Sequence, residues 1–86
     1  MIVTEIKKTI EASIPDATVF VMDPMNDGAH LQAIVISPSF DGMMLVKQHQ
    51  MVMKPLKTAF ATSVHALALK TFTPQAWEQA RVQYGL

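Results

Sequence analysis

Two short apolar runs, HLQAIVIS at 30–37 and ALALKT at 66–71, flank a long stretch whose apolar residues recur with helical period. That spacing constrains the fold more than any other feature. Strands separated by a helix cannot close as a tight hairpin, so the crossover lays them parallel, with a right-handed connection. Upstream, ATVFVM at 17–22 is rich in β-branched and aromatic side chains and reads as another strand. Between it and residue 30 lies DPMNDG, where proline, asparagine and glycine each favour a bend. The first two strands therefore form a hairpin, which PSFDG at 38–42 ends, and the sheet is mixed.

Helices occupy the remaining segments. Thr4 is a candidate cap for a first helix whose Ile6, Ile10 and Ile14 share one face, and Pro15 stops it. Residues 43–61 have helical period, but Lys54-Pro55 interrupts them, which predicts a kink or two short helices with Pro55 opening the second. At about 100° per residue, Leu45, His49, Val52, Met53, Leu56 and Phe60 fall on one side. Lys47, Gln50, Lys54 and Lys57 fall on the other. Thr73-Pro74 opens a last helix, with Trp77, Ala80 and Tyr84 as its apolar stripe. The order is α-β-β-α(α)-β-α: an α/β (α+β) domain with a three-stranded mixed sheet covered by helices. At 86 residues it is one domain, 1–86.

Composition narrows the function. Seven basic residues balance seven acidic ones, so no overall field draws the chain to nucleic acid or membrane. The absence of cysteine excludes disulfides, a thiolate nucleophile and a self-sufficient thiolate metal site. No apolar stretch approaches the ~20 residues a bilayer requires. The amino terminus lacks a basic start followed by an apolar run, and a cytoplasmic location is the expectation. Asp23, Asp27 and Asp41 sit in turns without a nucleophile beside them, and the histidines have no i,i+4 spacing. Catalysis is not expected. Trp77 and the seven methionines read as core fillers.

FDGMMLVKQHQMV at 40–52 followed by HALALKTFTPQAW at 65–77 resembles the BolA-like proteins. In that family a phenylalanine and a glycine precede a basic helix with a central histidine. A HAL-type strand then leads into a T-P-x-x-W helix. The match runs from about residue 27 to residue 77, and the order of elements is similar to the family's αββαβα fold, itself similar to the type II KH arrangement. Many members carry Arg-His-Arg where this chain has Lys47-Gln48-His49-Gln50. That version, with the following KPL, resembles the IbaG-type acid-stress subgroup.

The resemblance implies an adaptor that pairs with a monothiol glutaredoxin and shares a [2Fe-2S] cluster with it. Glutaredoxin and glutathione supply thiolates, the BolA-like chain supplies histidine, and the isolated chain holds no cluster. It also implies links to transcriptional control, stress response and cell shape. On this reading His65, which matches the HAL histidine, is a cluster ligand, and His30 is the second candidate. The loop before His30 is short and lacks the Cys or His that other members place mid-loop.

The residues taken alone leave alternatives open. His65 at a strand mouth is either a ligand or a surface imidazole bonded locally. His30 is either a ligand or merely a polar strand start. His49, on the apolar side of its helix, reads as a boundary residue with locally satisfied nitrogens. Lys47, Gln50, Lys54 and Lys57 either track a phosphate backbone in a helix-turn-helix-like segment at 43–61, or form a solvated helix face. Against nucleic acid, the stripe holds three lysines and no arginine, and no G-x-x-G loop is present. DNA is the competing partner. No membrane partner is expected, and the isolated chain is expected to be a monomer or a weak homodimer.

Overall fold

An isoleucine ladder starts the core. In the computed structural model, which describes residues 2–27, 30–59 and 67–86, helix α1 spans Ile2–Ser13. Ile6, Ile10 and Ile14 are each at most 1% exposed. The helix begins ahead of Thr4, which therefore lies inside it and is not its cap. Val3 packs against the same core cluster, so the apolar stripe begins a turn earlier than Ile6 and draws the helix start with it. Pro15 ends the helix as expected.

Strand β1 (Thr18–Met22) pairs antiparallel with β2 (Leu31–Ile36), Thr18 opposite Ile36. Strand β3 (Leu67–Phe72) pairs parallel with β2, Leu31 opposite Leu67 and Ile36 opposite Phe72. The order β1-β2-β3 puts β2 in the centre, which is why it is the most apolar strand.

Side chains alternate across the sheet, so each face acquires its own layer. Val19, Leu31 and Val35 join the α1 isoleucines, Phe40, and Val52 and Leu56 of helix α2 (Leu45–Ala59) in one buried cluster. On the opposite face Trp77 of helix α3 (Pro74–Ala80) lies 5.8 Å from Phe20 and 5.3 Å from Phe72, ring centre to ring centre. Tyr84, in a closing 3-10 turn (Arg81–Tyr84), stacks on Trp77 at 5.8 Å. Such aromatic contacts add about 0.5–1.5 kcal/mol each beyond area burial. Thr73 caps α3, its Oγ1 accepting from the Ala76 N–H at 3.3 Å, with Pro74 in the first turn.

Three sequence expectations are corrected here. Of the kink or two short helices expected at Pro55, the second alternative is overturned, because α2 runs through Pro55 as one element. Val52 and Leu56, both fully buried one turn apart, hold the segments on either side of the proline to one core. Leu45 is 61% exposed and does not belong to the buried face, which instead centres on Gln48, Val52 and Leu56. Met43, Met51 and Met53 fill gaps around the core, but Met25 and Met44 are exposed, at 65% and 71%.

Candidate functional site

The β1–β2 turn is assembled by carboxylates. Asp23 accepts from Asn26 N–H through its backbone carbonyl at 3.0 Å and from Asp27 N–H through Oδ1 at 3.2 Å. Asn26 takes a left-handed φ of 53°, which asparagine tolerates. Asp27 then holds His30 twice: Oδ1 accepts the His30 backbone N–H at 3.0 Å, and Oδ2 contacts Nδ1 at 2.8 Å.

That second contact decides the tautomer. An ionised carboxylate only accepts, so Nδ1 carries the proton and the neutral ring keeps its lone pair on Nε2. The His30 side chain is 65% exposed. A carboxylate on one ring nitrogen with the other free is the arrangement that orients metal-binding imidazoles. The donor chemistry at His30 therefore fits a ligand role, while no group of three or more metal-binding side chains occurs among the described residues. At most, the described part of this chain contributes to a site completed elsewhere.

β3 enters the sheet at this same end, since its first residue, Leu67, lies opposite Leu31, the residue after His30. His65, two positions before Leu67 in sequence, lies outside the described residues.

Lys47, Gln50, Lys54 and Lys57 are all exposed on the outer side of α2. Gln50, Lys54 and Lys57 border, with Val46, His49 and Met53, a groove of about 510 Å³. Lys47 stands outside that lining. The helix carries no carboxylate, so this face has one sign of charge. His49 is half-buried, and its ring has no hydrogen-bond partner among the described residues, contrary to the local satisfaction expected for it.

Two polar devices escaped the sequence reading. Gln48 donates through Nε2 to the carbonyls of Met43 at 2.9 Å and Phe40 at 3.4 Å, and its Oε1 accepts from Thr71 Oγ1 at 2.7 Å. It thus ties the start of α2 to β3. Asp16 accepts from Ser37 Oγ at 2.7 Å and Ser39 Oγ at 2.8 Å, which together hold its carboxyl below the ordinary range. Ser37 Oγ also accepts the Ser39 N–H at 3.0 Å, capping the 3-10 turn Pro38–Phe40. The S-x-S spacing signals a cap, but only the fold brings Asp16 to it.

A family model described as "BolA-like protein" matches residues 6–76. The chain belongs to the BolA-like family. Among BolA-like relatives, it is 41% identical over 60 residues to the acid stress protein IbaG of Escherichia coli K12, covering 69% of this chain and 71% of that protein. It is 34% identical over 55 residues to the DNA-binding transcriptional regulator BolA of the same strain, covering 64% and 52%. Among solved structures, a bolA protein homologue from Coxiella burnetii superposes with a TM-score of 0.74 at 33% identity, covering 87% of this chain and 94% of that one. Among the described residues no helix is long and apolar enough to cross a membrane.

Proposed function

We propose that this BolA-like chain is a non-enzymatic adaptor that completes the ligation of a [2Fe-2S] cluster held mainly by a monothiol glutaredoxin and glutathione. Cluster trafficking or iron and stress sensing is its work. The observation that carries this reading is the Asp27–His30 pair, which leaves Nε2 available at the sheet end where β3 begins, just after His65 in sequence. A chain without cysteine must contribute nitrogen or oxygen ligands, and imidazole is the established replacement for thiolate in mixed clusters.

Mixing the protein with a cluster-loaded glutaredoxin homodimer is expected to change the visible circular dichroism. His65→Ala should abolish the change, and His30→Ala should reduce it. An unaltered response in His65→Ala would remove that residue from the ligand set.

A second reading is a DNA-binding regulator of stress response and cell morphology that uses Lys47, Gln50, Lys54 and Lys57. Their exposure on a carboxylate-free helix supports it, as does the DNA-binding relative. Affinity should then fall with salt by about 0.9 log units per log unit of salt for each phosphate neutralised. A flat salt dependence would dispose of it.

A further inference from the structure

The sheet ends laterally at β3, and a groove of about 400 Å³ follows that edge. The consecutive strand residues 69–72 border it, flanked by Leu45 and His49 of α2 on one side and Tyr84 on the other. Successive side chains of a strand point to opposite faces, so a cavity touching four in a row runs along the backbone edge itself.

The phase of that edge is set by one hydrogen bond. Ser37 N–H donates to the Phe72 carbonyl at 3.0 Å, which turns the Phe72 backbone toward β2. By alternation the Lys70 backbone also turns inward, and the N–H and C=O groups of Leu69 and Thr71 point out into the groove. Neither residue has another backbone partner among the described residues; Leu69 is half-buried and Thr71 only 9% exposed, so a guest strand must seat inside the groove to reach them.

We propose that the outer edge of β3 accepts an extended acidic peptide as an added strand. Backbone pairing to Leu69 and Thr71 supplies the attachment, and the flanking side chains read alternate residues of the guest. Leu45, 61% exposed, and Tyr84, 37% exposed, offer apolar contacts at the two walls. Lys70 borders the groove, and none of its lining residues is a carboxylate, so the guest's polar positions favour glutamate or aspartate. Self-pairing is the poorer fit. Lysine on an edge strand opposes it, because a second copy of β3 brings a second Lys70 to the same edge.

The test uses the full chain, isotope-labelled, with a capped hexapeptide alternating valine and glutamate as probe. At saturation the Leu69 and Thr71 amides should exchange with solvent at least about tenfold more slowly, as newly paired edge groups do. Lys70→Glu should weaken binding by about tenfold, equivalent to about 1.4 kcal/mol. A peptide with lysine in place of glutamate should not bind. Two N-methylated probes, blocked at alternate residues in opposite phase, should differ: one binds and the other does not. Unchanged exchange at Leu69 and Thr71, or equal binding of the two N-methylated probes, overturns the proposal. Protection of both amides in the free protein, rising with concentration alongside a doubled mass, overturns it in favour of a second copy of the chain.

Discussion

Gln48→Leu is the most informative single perturbation of this fold, because the side chain serves three partners from one position. Removing it leaves the Thr71 hydroxyl, on a residue 9% exposed, without the acceptor it holds at 2.7 Å, and takes a donor from the Met43 carbonyl. An orphaned buried group costs about 1–3 kcal/mol. Gln48 is only half-buried, so water relieves part of that loss and about 1–2 kcal/mol is the expectation. For a domain of this size each kcal/mol lowers Tm by about 4–8 °C, giving a drop of about 5–15 °C. Thr71→Val alone should cost a similar amount, since it strands the Gln48 Oε1. The double variant should lose little more than Gln48→Leu alone, because the second substitution removes the group that the first left unpaired. A double-mutant cycle by urea unfolding should thus give a coupling of about 1 kcal/mol. Strictly additive losses would refute the idea that these two side chains form one unit.

Other outcomes follow from the same geometry. Leu56→Ala, at a fully buried site, should cost about 2–5 kcal/mol in urea unfolding, a large share of the stability of so small a domain. A loss under about 1 kcal/mol would mean the core collapses around the gap. Asp16 should steepen acid unfolding. Ser37 and then Ser39 lower its folded-state pKa, so the stability it contributes is present above the unfolded value near ~4 and disappears as pH falls through the lower folded one. Asp16→Asn should flatten Tm against pH in that acidic window, and an unchanged slope there would contradict this. Asp27→Asn should release the His30 tautomer: the parent's ring-nitrogen shifts are expected to report an unprotonated Nε2, and those of the variant a mixture. Identical spectra would show that Asp27 does not set the tautomer.

Local signals carried much of the architecture. The isoleucines of α1 lie four apart, so any helix there must bury one face; the β-branched runs and the DPMNDG turn force a hairpin; Thr73-Pro74 starts a helix by its own chemistry. Family membership was legible too, because two motifs in order at a fixed separation constrain each other. What local pattern mistook were choices settled by packing. Pro55 predicted a kink or a second helix, yet Val52 and Leu56 share one core and keep α2 a single element across it. Leu45 matched the apolar period but is the first residue of α2 and stays exposed on the groove beside β3.

The candidate sites divide along the same line. Which imidazoles and lysines could serve was written in the chain: His30, His65 and the Lys47–Lys57 stripe are matters of residue type and spacing. That His30 keeps Nε2 free depends on Asp27 folding back across a turn. That Gln48 clamps β3, that Asp16 reaches Ser37 and that the outer edge of β3 has no strand beside it among the described residues were decided only by the tertiary structure. The physical reason is range. Periodicity and capping act within a few residues, whereas the two hydrogen bonds join residues 21 and 23 apart and the β2–β3 pairing joins residues farther apart still, and only the closed sheet brings such segments within reach.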